Sequence, residues 1–221
     1  MDGPRPLDTA ASTLVEDFGA SVSVEDTEYL YAGDIKDVTA EVSRDPNLGH
    51  RVWIPRGGPL EVVFPVKPNG SPADLRGLLR ALVNASNARY LFAYRVEEVQ
   101  GTFVLIPARS RDAEGKSITV TPLLDGLVTI PAGTHTALEA ANWMAEQLSA
   151  QAGRRVSCCQ SAIGGYPWGT HQVVFDGRPQ RARDLLRGLI AAGGGSFAWN
   201  QRCDPRPSKW CFINVYLGGA Y

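Results

Sequence analysis

The chain has 221 residues, of which 44% are hydrophobic and 20% charged. That is ordinary for a soluble globular protein of one large or two small domains. A net charge of −1 supplies no strong basic surface for nucleic acid, and no apolar run is long enough to span a membrane. Neither nucleic acid nor a membrane span is therefore expected, and the polar first twenty residues do not read as a signal peptide. The halves differ: residues 1–115 carry 12 Lys/Arg against 17 Asp/Glu, and residues 116–221 carry 10 against 6. Opposite fields of −5 and +4 favour packing of one half on the other.

In chain order, DTAASTLVEDF (8–18) reads as a helix capped by Asp8 or Thr9 and ended by Gly19. ASVSVED alternates like a strand, and residues 30–58 are irregular. LEVVFPV (60–66) is strand-like. Ser71 and Pro72 read as the start of a helix running to about Asn84, with Leu75, Leu78, Leu79 and Leu82 on one stripe. YLFAYRV and TFVLIPA form a hairpin. RSRDAEGKS (109–117) reads as a linker between a first unit, 1–108, and a second, 118–221. SITVTPL and GLVTIPAG are strand-like. THTALEAANWMAEQLSAQAG is the clearest helix, stopped by Gly153. RRVSCCQS and QVVF are strands. ARDLLRGLIAAGGG is a helix, and SFAWNQRC with KWCFINVYL is a second hairpin.

Residues Arg76–Ile106 slide onto Arg183–Ile213 by 107 positions without a gap, and EVVF (61–64) matches QVVF (172–175). The chain thus reads as an internal duplication. The fold class expected is α+β: two tandem copies of a small unit, each a mixed or antiparallel sheet packed on two helices. If Val96 pairs with Val104, and Cys203 with Cys211, then Val104 and Ile106 face the helices of their own copy. Trp199, Ile213 and Val215 do the same in the second copy. Phe103 and Leu105, or Trp210 and Phe212, then need a second cover. The other copy is the cheaper cover, and a partner protein the alternative.

VTIPAG (128–133), the helix after it with Ala137, Leu138, Ala145, Gln147 and Gly153, and later Leu185, Leu186, Gly193 or Gly194 and Phe197 form a pattern. It resembles the secretin and TonB N-terminus short domain, well over residues 126–217 and weakly over 8–108. The resemblance implies a bacterial, periplasmic, non-catalytic module for protein binding, scaffolding or signalling.

Cys203 and Cys211 are placed for a cross-strand disulfide, or for two buried thiols. Cys158 and Cys159 alternate faces of a strand and should not bond each other. The isolated His50, His135 and His171 make no nucleophile motif. The glycines of AAGGGS follow a helix and mark a turn rather than a phosphate cradle. Arg178, Arg181, Arg183 and Arg187 form a basic stripe, read as a solvated face or an anionic-partner site. Tyr166 and Trp168 are loop aromatics of the kind that anchor interfaces. The partner-binding set is therefore Phe103, Leu105, Trp210, Phe212, Tyr166, Trp168, Arg178 and Arg181. No enzyme, cofactor or metal is expected. The partner is a protein or a second copy, in the periplasm or secreted, with a cytoplasmic address left open. The other readings are an enzyme with a cleft between the copies, built on His171 with Asp176 or Cys158, and a self-assembling structural component.

Overall fold

The computed structural model describes residues 3–42, 51–90, 92–99, 101–159, 167–194, 197–205 and 210–217. The first half holds α1 (Pro6–Phe18), β1 (Val22–Glu25), β2 (Ile35–Asp37), the short α2 (Thr39–Val42), β3 (Trp53–Pro55), α3 (Leu75–Arg89), β4 (Ala93–Val99) and β5 (Thr102–Arg111). Then come β6 (Ser117–Thr119), β7 (Leu127–Thr129), β8 (Gly133–Thr136), α4 (Ala137–Ala152), β9 (Arg155–Cys158), β10 (Gln172–Phe175), β11 (Pro179–Arg181), α5 (Ala182–Ala192), β12 (Phe197–Cys203) and β13 (Trp210–Leu217).

The fold is α+β, and one seven-stranded sheet runs through both halves in the order β4-β5-β1-β12-β13-β9, with β6 added beside β5. Each half lays down the same path: a hairpin whose second strand pairs in parallel with the strand after the first helix. The halves join where β1 runs parallel to β12. Strands β5, β1 and β12 therefore run one way, and β4, β13 and β9 the other. Reversed direction with retained order means that one half is turned over relative to the other. Accordingly α1 and α3 pack on one face of the sheet and α4 and α5 on the opposite face.

Local sequence explains the helices. Gly19 and Gly153 end α1 and α4 in the left-handed conformation, φ 62° and 60°, which a side chain would strain. Thr136 and Glu139 form a reciprocal capping box on α4. Leu79, Leu82 and Val83 bury one stripe of α3. That helix begins at Leu75 rather than at Ser71 and Pro72, because Pro72 is held in a bridge to Val66.

Four expectations are corrected. Residues 109–117 are not a linker: they finish β5, turn at Asp112–Lys116 and enter β6. LEVVFPV forms no strand, whereas QVVF pairs as β10 with β8, the strand after IPAG that has no counterpart among the described residues of the first half. Val96 pairs with Leu105, not Val104. Phe103 and Leu105 consequently lie under α1 and α3 of their own half, while Val104 and Ile106 pass through the sheet to the core of α4 and α5. In the second hairpin Cys203 does face Cys211, and Trp199, Ile213 and Val215 pack beneath α4 and α5 as expected.

The opposite fields of the halves appear as ion pairs. Glu25–Arg183, Asp8–Arg202, Glu97–Arg187 and Glu28–Arg154 each take the carboxylate from the first half and the guanidinium from the second.

Candidate functional site

Of the side chains expected to meet a partner, Phe103 and Leu105 are 6% and 0% exposed and belong to the core. They are not surface residues, for the register reason above. Trp210 and Phe212 differ: they are half-buried, belong to neither core cluster, and stack with ring centroids 4.1 Å apart. They point to the α1 side of the sheet, beyond the reach of that helix, because their neighbours Cys211 and Ile213 point to the α4 side. Trp210 Nε1 donates to Ser157 Oγ at 3.0 Å, and the Arg155 guanidinium sits 4.6 Å over the indole. The result is a fixed aromatic surface on β13 and β9.

Tyr166 and the Trp168 side chain lie outside the described residues. Arg178 and Arg181 are exposed, paired with Asp176 and Asp184 at 3.2 and 2.8 Å. Their stripe is not uniformly solvated, since Arg183 is fully buried and Arg187 nearly so. Cys203 and Cys211 are bonded across the hairpin. Cys158 and Cys159 are bonded as well, contrary to the alternation expected of a strand. The strand stops at Cys158, and Cys159 takes φ 66°, which carries its sulfur to the same side. With Cys158 tied up, it supplies no nucleophile near His171. The His171 carbonyl caps α4, and Asp176 turns back on Arg178. His135 packs edge-on to Trp143.

A second feature escaped the sequence reading. At the carboxyl ends of β1 and β12 a small recess of about 50 Å³ is bounded by the start of α1 and the start of β4. Its walls carry Tyr29, Tyr90, Phe92 and Tyr94, with Tyr29 edge-on to Phe92 at 5.5 Å. Its base is polar: Arg5 Nε donates to Asp26 at 2.8 Å, Tyr29 donates to Asp26 at 2.6 Å, and Arg202 donates to Asp8 Oδ2 at 2.7 Å. Asp8 Oδ1 is buried without a hydrogen-bond partner, and no side chain caps α1, whose opening residues Leu7 and Asp8 line the recess. Burial pushes the Asp8 carboxyl up, against the pull of Arg202. Burial, then the Asp26 charge, push the Tyr29 and Tyr94 phenols well up, so both stay protonated. Among the described residues no His, Cys, Asp and Glu cluster has the makings of a metal site. The signal for the recess was absent locally: Asp8 read as a cap, and Tyr29 sits in an irregular segment.

Comparison with family models, with curated proteins and with solved structures finds no match to this chain.

Proposed function

We propose that the protein is a non-catalytic interaction module that works outside the cytoplasm and holds a protein partner on the β13–β9 end of its sheet. The observation that carries this reading is the Trp210–Phe212 pair, which neither helix layer covers, with Arg155 stacked on the indole. Trp and Arg in a fixed, partly desolvated cluster are typical of interface hot spots. Two disulfides within the chain support an oxidising compartment. The resemblance of residues 126–217 to the secretin and TonB N-terminus short domain supports a periplasmic scaffold or signalling role. No helix among the described residues is long and apolar enough to cross a membrane.

The test is Phe212→Ser and Trp210→Ser, compared with wild type by cross-linking in the host's extracytoplasmic fraction and by sedimentation of the purified protein. The expected result is loss of a discrete cross-linked complex with the melting temperature little changed, since partly exposed positions carry small stability terms. Loss of self-association instead identifies the partner as a second copy. A complex that survives both substitutions overturns the reading.

A further inference from the structure

We propose that the first half is a strand acceptor: an extended segment of a partner protein pairs antiparallel with residues 61–64 and sets two alternate aliphatic side chains into the groove between α1 and α3. The site is separate from the Trp210–Phe212 surface, and the inference is independent of it.

The second half shows what fills the equivalent place. The chain ahead of α4 does two things there. It sinks Leu124, Val128 and Ile130, each 0–1% exposed, into the core beneath α4 and α5. It then pairs as β8 with β10, antiparallel, with His135 opposite Val173 and Thr134 opposite Val174. Gln147 of α4 holds the backbone of Thr129 through both its amide nitrogen and its oxygen, each at 2.9 Å.

The first half has the receiving side of this arrangement. Residues 60–64 already alternate as a strand does: Leu60 is buried and Val62 and Phe64 half-buried, whereas Glu61 and Val63 are exposed. Among the described residues, no backbone hydrogen bond is made by residues 61–64. The entry to the helix is placed alike in both halves. The Ala137 amide, at the start of α4, donates to the His171 carbonyl just before β10, and the Gly58 amide donates to the Gly3 carbonyl just before α1. A segment beside residues 61–64 would thus lie as β8 lies beside β10. Beneath it is an apolar groove of about 370 Å³, walled by Thr13, Leu14 and Phe18 of α1 and Leu78 and Leu82 of α3. Counted back from Gly19 and Gly153, Thr13 and Leu14 stand where Gln147 and Leu148 stand in α4. Leu78, which matches the buried Leu185 of α5, is only half-buried, and Phe18 is 42% exposed.

The chemistry of the occupant follows. The groove takes aliphatic side chains in the manner of Val128 and Ile130, and the open backbone takes a strand. Glu61 lines the groove, and exposed Asp17 stands where Gln151 stands in α4, so the segment carries no carboxylate there. A second copy is the poorer donor, because its own segment of this kind is built into its core.

The experiment is an amide-detected NMR titration of the full chain with a synthetic peptide of residues 126–136, GLVTIPAGTHT, to about 2 mM. Shifts at residues 61–64 and along α1 from Thr13 to Phe18, half-complete below about 0.5 mM, are expected. Hydrogen exchange should slow about fivefold at alternate amides of 61–64, the pattern of an antiparallel pair. The peptide with Asp in place of both Val128 and Ile130 should produce no shifts. Phe18→Asp and Leu78→Asp, each with an otherwise unchanged spectrum, should weaken binding about tenfold or more, because a carboxylate would be buried among aliphatic groups. The proposal fails if the parent peptide gives no shifts, if its shifts fall on β10 and α5 instead, if the Asp peptide binds as well, or if both folded variants bind unchanged. Self-association of the peptide-free protein through residues 61–64, seen by sedimentation, would make the occupant a second copy and also overturn it.

Discussion

Arg183 on α5 donates Nε and a terminal nitrogen to the two carboxylate oxygens of Glu25 on β1, at 2.6 and 2.7 Å, and neither side chain has any exposed surface. Asp125 engages the remaining arm of the guanidinium. The pair sits where the halves of the sheet meet, so it fixes which strands join. Burial pushes the Glu25 carboxyl up, and the Arg183 hydrogen bonds oppose that. Removing Arg183 leaves Glu25 buried and unpaired, and removing Glu25 leaves the buried guanidinium with Asp125 alone. Glu25→Leu or Arg183→Met alone should each cost about 3–5 kcal/mol, read from the urea midpoint. The double variant should recover most of that loss, because matched apolar side chains replace a buried pair at little net cost.

Asp8 gives a pH dependence of the less familiar sign. Its carboxyl is raised above 3.8 by burial, so in the window just above that value the folded state holds more protons than the unfolded chain. Its contribution to stability is fully present below 3.8 and falls as pH rises through the folded value. Urea midpoints of wild type and Asp8→Asn from pH 4 to 7 should show the wild-type advantage shrinking as pH rises.

All four cysteines are bonded. Alkylation of the denatured, unreduced protein should therefore add no mass. The Cys203–Cys211 bond closes a loop of sequence separation 8. Replacing both by alanine should lower stability by about 2–3 kcal/mol, the range for short loops.

Ser149 on α4 accepts from the Val156 amide at 2.8 Å, and its single proton lies between the Ala145 carbonyl at 2.7 Å and the Val156 carbonyl at 3.2 Å. The Cys159 amide instead donates inward to the Ile213 carbonyl on β13, so the backbone groups of Val156, whose side chain is in the core, point away from β13 at this sheet edge. The hydroxyl thus occupies the Val156 amide, a donor that another strand would seek. Ser149→Ala should cost about 1 kcal/mol per hydrogen bond lost and raise light scattering at high protein concentration.

What was legible in the sequence was local. The α4 stripe, Gly153 and the α5 stripe follow from residues within a few turns of one another. The facing of Cys203 and Cys211 was also legible. The shift that made Val96 pair with Leu105 was not, because register is set by the turn: Val99 closes on Thr102 around Gly101, a tighter loop than the second hairpin has. EVVF and QVVF look alike, yet only QVVF has a partner strand in β8. Charge asymmetry did forecast the sense of the ion pairs between halves, since it needs no geometry. The recess was invisible because Asp8, Asp26, Tyr29, Phe92 and Arg202 meet only when β1, β4 and β12 are brought side by side.

The two cores interlock through the sheet: Val104 and Ile106 complete the one beneath α4 and α5, and Ala198 belongs to the one beneath α1 and α3. Severing the chain at the Asp112–Lys116 turn would leave two fragments, each lacking part of its own interior and each carrying the other's missing charges. Such fragments reassemble by complementation or not at all, so this exposed turn is a natural place to split the protein into a two-part reporter.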